Sequence, residues 1–258
     1  MTRRPTQPDA EPLRFHDIQA HFLAHVAFLF RSRAGTVLLT DPMFAGAFEW
    51  QGHIEQYLSP PAFPPEAIAK CDLLFVSHIH GDHYDPDAIA RIRRTTGCRV
   101  LGPPEVVDDL CERGEAADGL VALADGQVVT EGDLSLTAMA GYDDSADARG
   151  RPNKFSALIT CGETTLFYGG DCHEVPPALR GRQVSALFWW PHDHEATIGA
   201  FAEAVRFPVW VLMHGDRFHP GSFLCNLDLA AERRRVQPLV PHADVIVPKR
   251  LKECPRDL

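Results

Sequence analysis

Three imidazoles and a carboxylate crowd into the six residues His78 to His83 of the segment Ser77-His78-Ile79-His80-Gly81-Asp82-His83-Tyr84-Asp85, directly after the apolar run Leu73-Leu74-Phe75-Val76. Side chains alternate along an extended segment, so His78 and His80 point the same way and can hold one cation. A bend permitted by Gly81 turns Asp82 and His83 toward a second. Neutral imidazole and carboxylate suit zinc, iron or manganese, and two such ions a few ångströms apart can supply a nucleophile at neutral pH. The bland alternative is a set of surface histidines on a loop. The H-x-H-x-D-H spacing at the end of a buried strand is a poor match to that.

The motif His78-x-His80-x-Asp82-His83 after a hydrophobic strand resembles the signature of the metallo-β-lactamase superfamily. The resemblance implies an α/β fold, a single-domain αββα sandwich, with a dinuclear site along one edge and further ligands at later strand ends. It places His78, His80 and Asp143 on one ion, Asp82, His83 and His214 on the other, and Asp171 between them. Asp41, after the strand Thr36–Thr40, resembles the buried aspartate that braces the metal loop; its alternative role is a turn cap.

One position departs from the common pattern: no histidine occurs between His83 and His173 to serve as the third nitrogen of the first site. Either that site is degraded or Asp143 supplies a carboxylate, with Asp144 as understudy. The L-ascorbate-6-phosphate lactonase branch has an aspartate in a similar Tyr/Phe-Asp context. Asn153-Lys154-Phe155-Ser156 and Leu166-Phe167-Tyr168-Gly169-Gly170-Asp171 are similar to that branch's strand pair. Asp171 otherwise reads as a helix cap, and His219 rivals His214, which is preferred for its place at a strand terminus.

Two divalent ions are therefore expected, zinc first, with manganese or iron as alternatives because a carboxylate replaces a nitrogen. Asp82, His192 and His194 are the candidates for proton transfer, although Pro191-His192-Asp193-His194-Glu195 also reads as a solvated cap before a helix. Tyr142, Arg149, Arg151, Lys154 and His173 are candidate substrate contacts, the cationic ones for an anionic group; a plain solvated loop is the alternative. The reaction expected is metal-dependent hydrolysis of a lactone or related ester of a sugar-like or anionic small molecule, with a phosphodiester as the alternative substrate. The rivals are a di-iron, oxygen-dependent oxidoreductase and a binding protein with a degenerate site.

Composition bounds these readings. A chain of 258 residues with 45% hydrophobic content fits one large domain, residues 13–258 behind a disordered tail at 1–12. A formal charge of −10 argues against a nucleic-acid surface. Seven cysteines without C-x-x-C spacing suit free thiols in a reducing compartment. With no apolar signal core or membrane span, the expectation is a soluble cytoplasmic protein acting on a small molecule, its self-association left open.

Local patterns supply the supporting elements. A hairpin is expected over His25–Phe30 and Thr36–Thr40, turning at Gly35. Residues 43–65 read as an aromatic loop. Strands are expected at 72–76, 98–101, 120–124, 133–140, 164–168, 185–190, 208–213 and 243–248, and helices at 86–94, 104–113, 196–206 and 228–236.

Overall fold

The computed structural model describes residues 11–50, 52–140, 147, 149–190, 195–215 and 228–255. The expected tail at 1–12 lies outside them apart from residues 11 and 12. The first half of the chain runs β1 (Leu13–Arg14), β2 (Ile18–Ala24), β3 (Ala27–Ser32), β4 (Val37–Thr40), a hairpin of β5 (Ala47–Trp50) and β6 (His53–Gln56), then β7 (Leu73–Phe75), α1 (Pro86–Thr96), β8 (Arg99–Gly102), α2 (Pro104–Glu112) and β9 (Leu120–Ala122). The second half runs β10 (Val128–Glu131), β11 (Leu134–Ala140), β12 (Phe155–Cys161), β13 (Thr164–Tyr168), β14 (Ala186–Trp189), α3 (Glu195–Ala204), β15 (Val209–Leu212), α4 (Leu229–Val236) and β16 (Asp244–Ile246).

Each half builds one seven-stranded sheet, ordered β1-β2-β3-β4-β7-β8-β9 and β10-β11-β12-β13-β14-β15-β16. Both begin antiparallel and end parallel, and the parallel crossovers contain the helices, because a parallel return needs a long connection. The apolar runs LLF, ALFW and VWVL are buried on both faces, which explains their unbroken hydrophobicity. Leu73, Phe75, Phe188 and Val211 point between the sheets. Leu74 points instead to the helices of the first sheet, and Trp189 and Leu212 to those of the second. The layers are therefore helix, sheet, sheet, helix, as the motif resemblance implied.

Strands β1, β2, β5, β6 and β10 are additional to the expected set. β2 pairs antiparallel with β3, β10 with β11, and the stretch read as a loop at 43–65 holds the hairpin β5–β6. Its aromatics pack: Phe48 rests on Ala24, Met43 and Tyr57, and Phe44 meets Phe63 at 6.2 Å between ring centroids. Six cysteines among the described residues are free thiols. Among the described residues no helix is long and apolar enough to cross a membrane.

Candidate metal centre

Strand ends and one tight turn deliver the site. The loop after β7 carries His78 to His83, Asp171 follows β13, His214 follows β15, and Asp41 follows β4. His25 occupies the two-residue turn between β2 and β3. Asp85 closes the metal loop by accepting from Ala88 N at the start of α1 and, through its other oxygen, from Phe44 N and Ala45 N. Gly81 lies in a turn, as expected; it is not in the left-handed region, and its small size is required because a Cβ there would lie 2.5 Å from Phe48 Cδ2 of the hairpin.

Asp171 is the centre of the arrangement. Its Oδ2 lies 3.3 Å from His78 Nε2, and its Oδ1 lies 3.0 Å from His83 Nε2 and 2.9 Å from His214 Nε2. The His78 and His80 rings are 4.3 Å apart, and His78, His80 and Asp171 can direct one donor atom each at a common point. On the other side, Asp82 Oδ2 lies 3.6 Å from His83 Nε2 and 3.8 Å from His214 Nε2. His83, Asp171 and His214 form a second convergent set, and His25, Asp82 and His214 a third.

The histidines are held from behind. His83 Nδ1 lies 2.8 Å from Asp41 Oδ2, so that nitrogen bears the proton and Nε2 faces the site. Asp41, fully buried, also accepts from Ser77 N and Ser77 Oγ, each at 2.6 Å, and its Oδ2 lies 2.7 Å from the Tyr168 hydroxyl. Ser77 Oγ lies 3.0 Å from His78 Nδ1, which likewise leaves His78 Nε2 toward the site. Gly170, at φ +52°, lets the second sheet come this close: a Cβ there would stand 2.9 Å from Ser77 Cβ.

These donors fit a cation. His78 Nε2 is buried and makes no hydrogen bond despite the nearby carboxylate. Burial together with the His83 charge lowers the His78 pKa. Burial and the His78 and His83 charges push His80 down to about 3, and burial with His214 pushes His25 down to about 4. These imidazoles are thus neutral and offer lone pairs. Burial opposes ionisation of Asp82 and Asp171, yet His83 and the neighbouring imidazoles hold both carboxyls below the usual range. Burial also opposes charge on His83, but Asp171, Asp82 and Asp41 outweigh it and raise its pKa well above normal. In the metal-free protein His83 therefore acts as the cation that the carboxylates demand. A divalent ion would serve that demand better.

The structure thus brings together His78, His80, Asp82, His83, Asp171 and His214 of the expected set. Asp143, Asp144, Tyr142, His192, His194 and His219 lie outside the described residues. Arg151 is committed to Asp108 and Asp147, each at 2.6 Å. Arg149 is largely exposed and lies 3.4 Å from Asp108. Lys154 directly precedes β12, and His173 lies two residues beyond Asp171; both are half-buried. Sequence reading missed His25, Ser77 and Tyr168, and also Trp190, whose ring stacks on His214 at 4.4 Å. The one available signal was a polar residue, His25, interrupting the apolar stretch Phe22 to Phe30.

An αββα sandwich whose two sheets share an edge lined with imidazoles and carboxylates defines a class of metal-centred proteins. The family model for the beta-lactamase superfamily domain matches residues 36–189, more than half of the chain, and the chain belongs to the metallo-β-lactamase superfamily. It is 31% identical over 162 residues to a protein of Anaeromyxobacter sp. (strain K) named as a metal-dependent hydrolase, covering 57% of this chain and 53% of that one. It is 30% identical over 161 residues to one of Methanosarcina mazei with the same name, covering 60% and 61%. The chain therefore spans about half to three fifths of the length of these curated relatives. Among solved structures, a protein of Parabacteroides distasonis superposes with a TM-score of 0.64 at 14% identity, covering 93% of this chain and 99% of that one. CmlA of Streptomyces venezuelae, titled a diiron β-hydroxylase, superposes with a TM-score of 0.63 at 18% identity, covering 93% and 54%. At these identities the likeness is one of fold.

Proposed function

We propose that this protein is a metal-dependent hydrolase that opens a lactone or related ester of a small molecule. The observation that carries the reading is Asp171, which turns one oxygen to His78 and the other to His83 and His214. A carboxylate so placed can join two ions. The names of the Anaeromyxobacter and Methanosarcina relatives support hydrolysis. The lactone rests on the similarity of Asn153–Ser156 and Leu166–Asp171 to the ascorbate-6-phosphate lactonase branch.

His78, His80 and Asp171 would hold one ion, with Asp143 completing it, and Asp82, His83, His214 and Asp171 the other. A bound pair of zinc, manganese or iron ions supplies Lewis acidity and a nucleophile at neutral pH. The chain's own contribution is positional. Asp41 and Ser77 hold the rings of His83 and His78, and Trp190 covers one face of His214. Asp82 is kept ionised by the surrounding imidazoles and serves as a ligand, so proton delivery to the leaving group is assigned to His192 or His194, which follow Trp190 closely in the chain.

The test is metal analysis together with hydrolysis of a lactone and ester panel. Close to two ions per chain are expected, and His80→Ala should lose one ion and hydrolysis together. Full activity after exhaustive chelation would end the proposal. A di-iron, oxygen-dependent oxidoreductase is the second reading, favoured by the mixture of carboxylates and imidazoles. Iron in the protein as purified, with oxygen consumption and no hydrolysis, would replace the first reading by the second.

A further inference from the structure

We propose that His25 is a protein ligand of the cation held by Asp82 and His214. The inference rests on the metal-centre reading above and adds a donor from the turn between β2 and β3, which the H-x-H-x-D-H motif does not contain.

Distance is the first argument. His25 Nε2 lies 3.4 Å from Asp82 Oδ2, long for an N–H···O hydrogen bond, which usually spans about 2.7–3.2 Å. Two donors bound to one zinc at about 2.1 Å with a tetrahedral angle stand roughly 3.4 Å apart. Without metal the contact is a long hydrogen bond, and its length is also the separation that two ligands of one ion would have. One ring nitrogen each from His25 and His214 and one oxygen of Asp82 lie within 4.8 Å of one another, and all three residues are buried.

Backbone conformation is the second. Among the described residues only three non-glycines have positive φ: His25 at 53°, Asp41 at 38° and His214 at 66°. All three belong to this centre. Glycine would occupy such a turn without strain, whereas a side chain there costs about 1–3 kcal/mol. A buried histidine, only 1% exposed, is a poor choice for a two-residue turn unless its ring is used. The turn and the last ligand are also tied directly: His214 N donates to His25 O at 3.0 Å, and their rings lie 4.2 Å apart. The strain that aims one ring therefore also positions the other.

The full chain loaded with zinc, examined by anomalous diffraction, should place an ion about 2.1 Å from His25 Nε2. In the cobalt(II)-loaded protein, His25→Asn should remove one hyperfine-shifted imidazole N–H resonance and weaken the second ion roughly tenfold or more in chelator competition, leaving the first ion in place. Asparagine is chosen because it tolerates positive φ. An ion more than about 3 Å from Nε2, or an unchanged set of shifted resonances in the variant, overturns the proposal. Two ions bound with His25 apart would sink this inference alone. A chain that takes up no metal would sink the metal-centre reading with it.

Discussion

Asp41 shows how one side chain can govern several ligands. It collects bonds from Ser77, Tyr168 and His83 in a fully buried position. An asparagine of the same shape would turn an amide donor toward groups that already donate. Asp41→Asn should therefore weaken metal binding about 10–100-fold while the fold persists, as read by zinc competition with a chromophoric chelator; unchanged affinity would show that the brace is dispensable. The neutral histidines lead to a second expectation, for the metal-free protein. The unfolded His25 titrates near 6.5, and the folded one near 4. Between those values the unfolded chain takes up a proton that the folded chain refuses, so stability falls as pH drops from about 6.5 toward 4. His83, raised well above normal, acts in the opposite sense: its unfolded form is only half charged near 6.5, so it offsets part of this loss between pH 7 and about 6 and adds little slope below that. From His25 alone, lowering the pH from 7 to 5 should cost about 2 kcal/mol in urea unfolding with chelator present. A midpoint independent of pH would contradict this.

At the scale of elements, the site depends on how closely two loops approach. Gly170 and Gly97 both have positive φ, at 52° and 71°. An added Cβ meets Ser77 at 2.9 Å in the first case and nothing within 4 Å in the second. Gly97→Ala, at the C-cap of α1, should cost only backbone strain, about 1 kcal/mol. Gly170→Ala bears the same strain plus a collision between the sheets, so it should cost more, by about 1–3 kcal/mol, and lower metal affinity as well. Equal costs in parallel denaturation curves would mean that the two loops are not in close contact. Gly81 beneath Phe48 makes the hairpin β5–β6 a neighbour of the metal loop. That hairpin was read as a loop because Gly46, Gly52, Pro60 and Pro61 bracket two short strands whose partners are only each other.

Across the whole molecule, the centre joins two halves of the chain. His78, His80, Asp82 and His83 come from the first sheet, and Asp171 and His214 from the second. Ions that bind only the assembled site must stabilise the fold. At a free concentration one hundred times the dissociation constant the gain is about 2.7 kcal/mol, equivalent to a rise of roughly 5–10 °C for a chain of this size. Calorimetry with zinc and with chelator would measure the difference, and identical Tm values would exclude a cation bridging the sheets.

Local pattern was enough to reveal the metal loop, the doubly buried strands and the helices between them, because each depends on residues adjacent in the chain. The match at Thr164–Tyr168 is complete, and Asp171 and His214 stood out as polar residues ending apolar runs. What the local pattern could not convey was proximity. His25 stands 57 positions before Asp82, and Tyr168 stands 127 after Asp41. Strand pairing within the first sheet brings His25 to Asp82, and only the packing of one sheet on the other brings Tyr168 to Asp41. Charge states followed the same division: the sequence named the imidazoles and carboxylates, while burial and convergence in the folded molecule decided which are neutral, which are ionised and where a cation would be drawn.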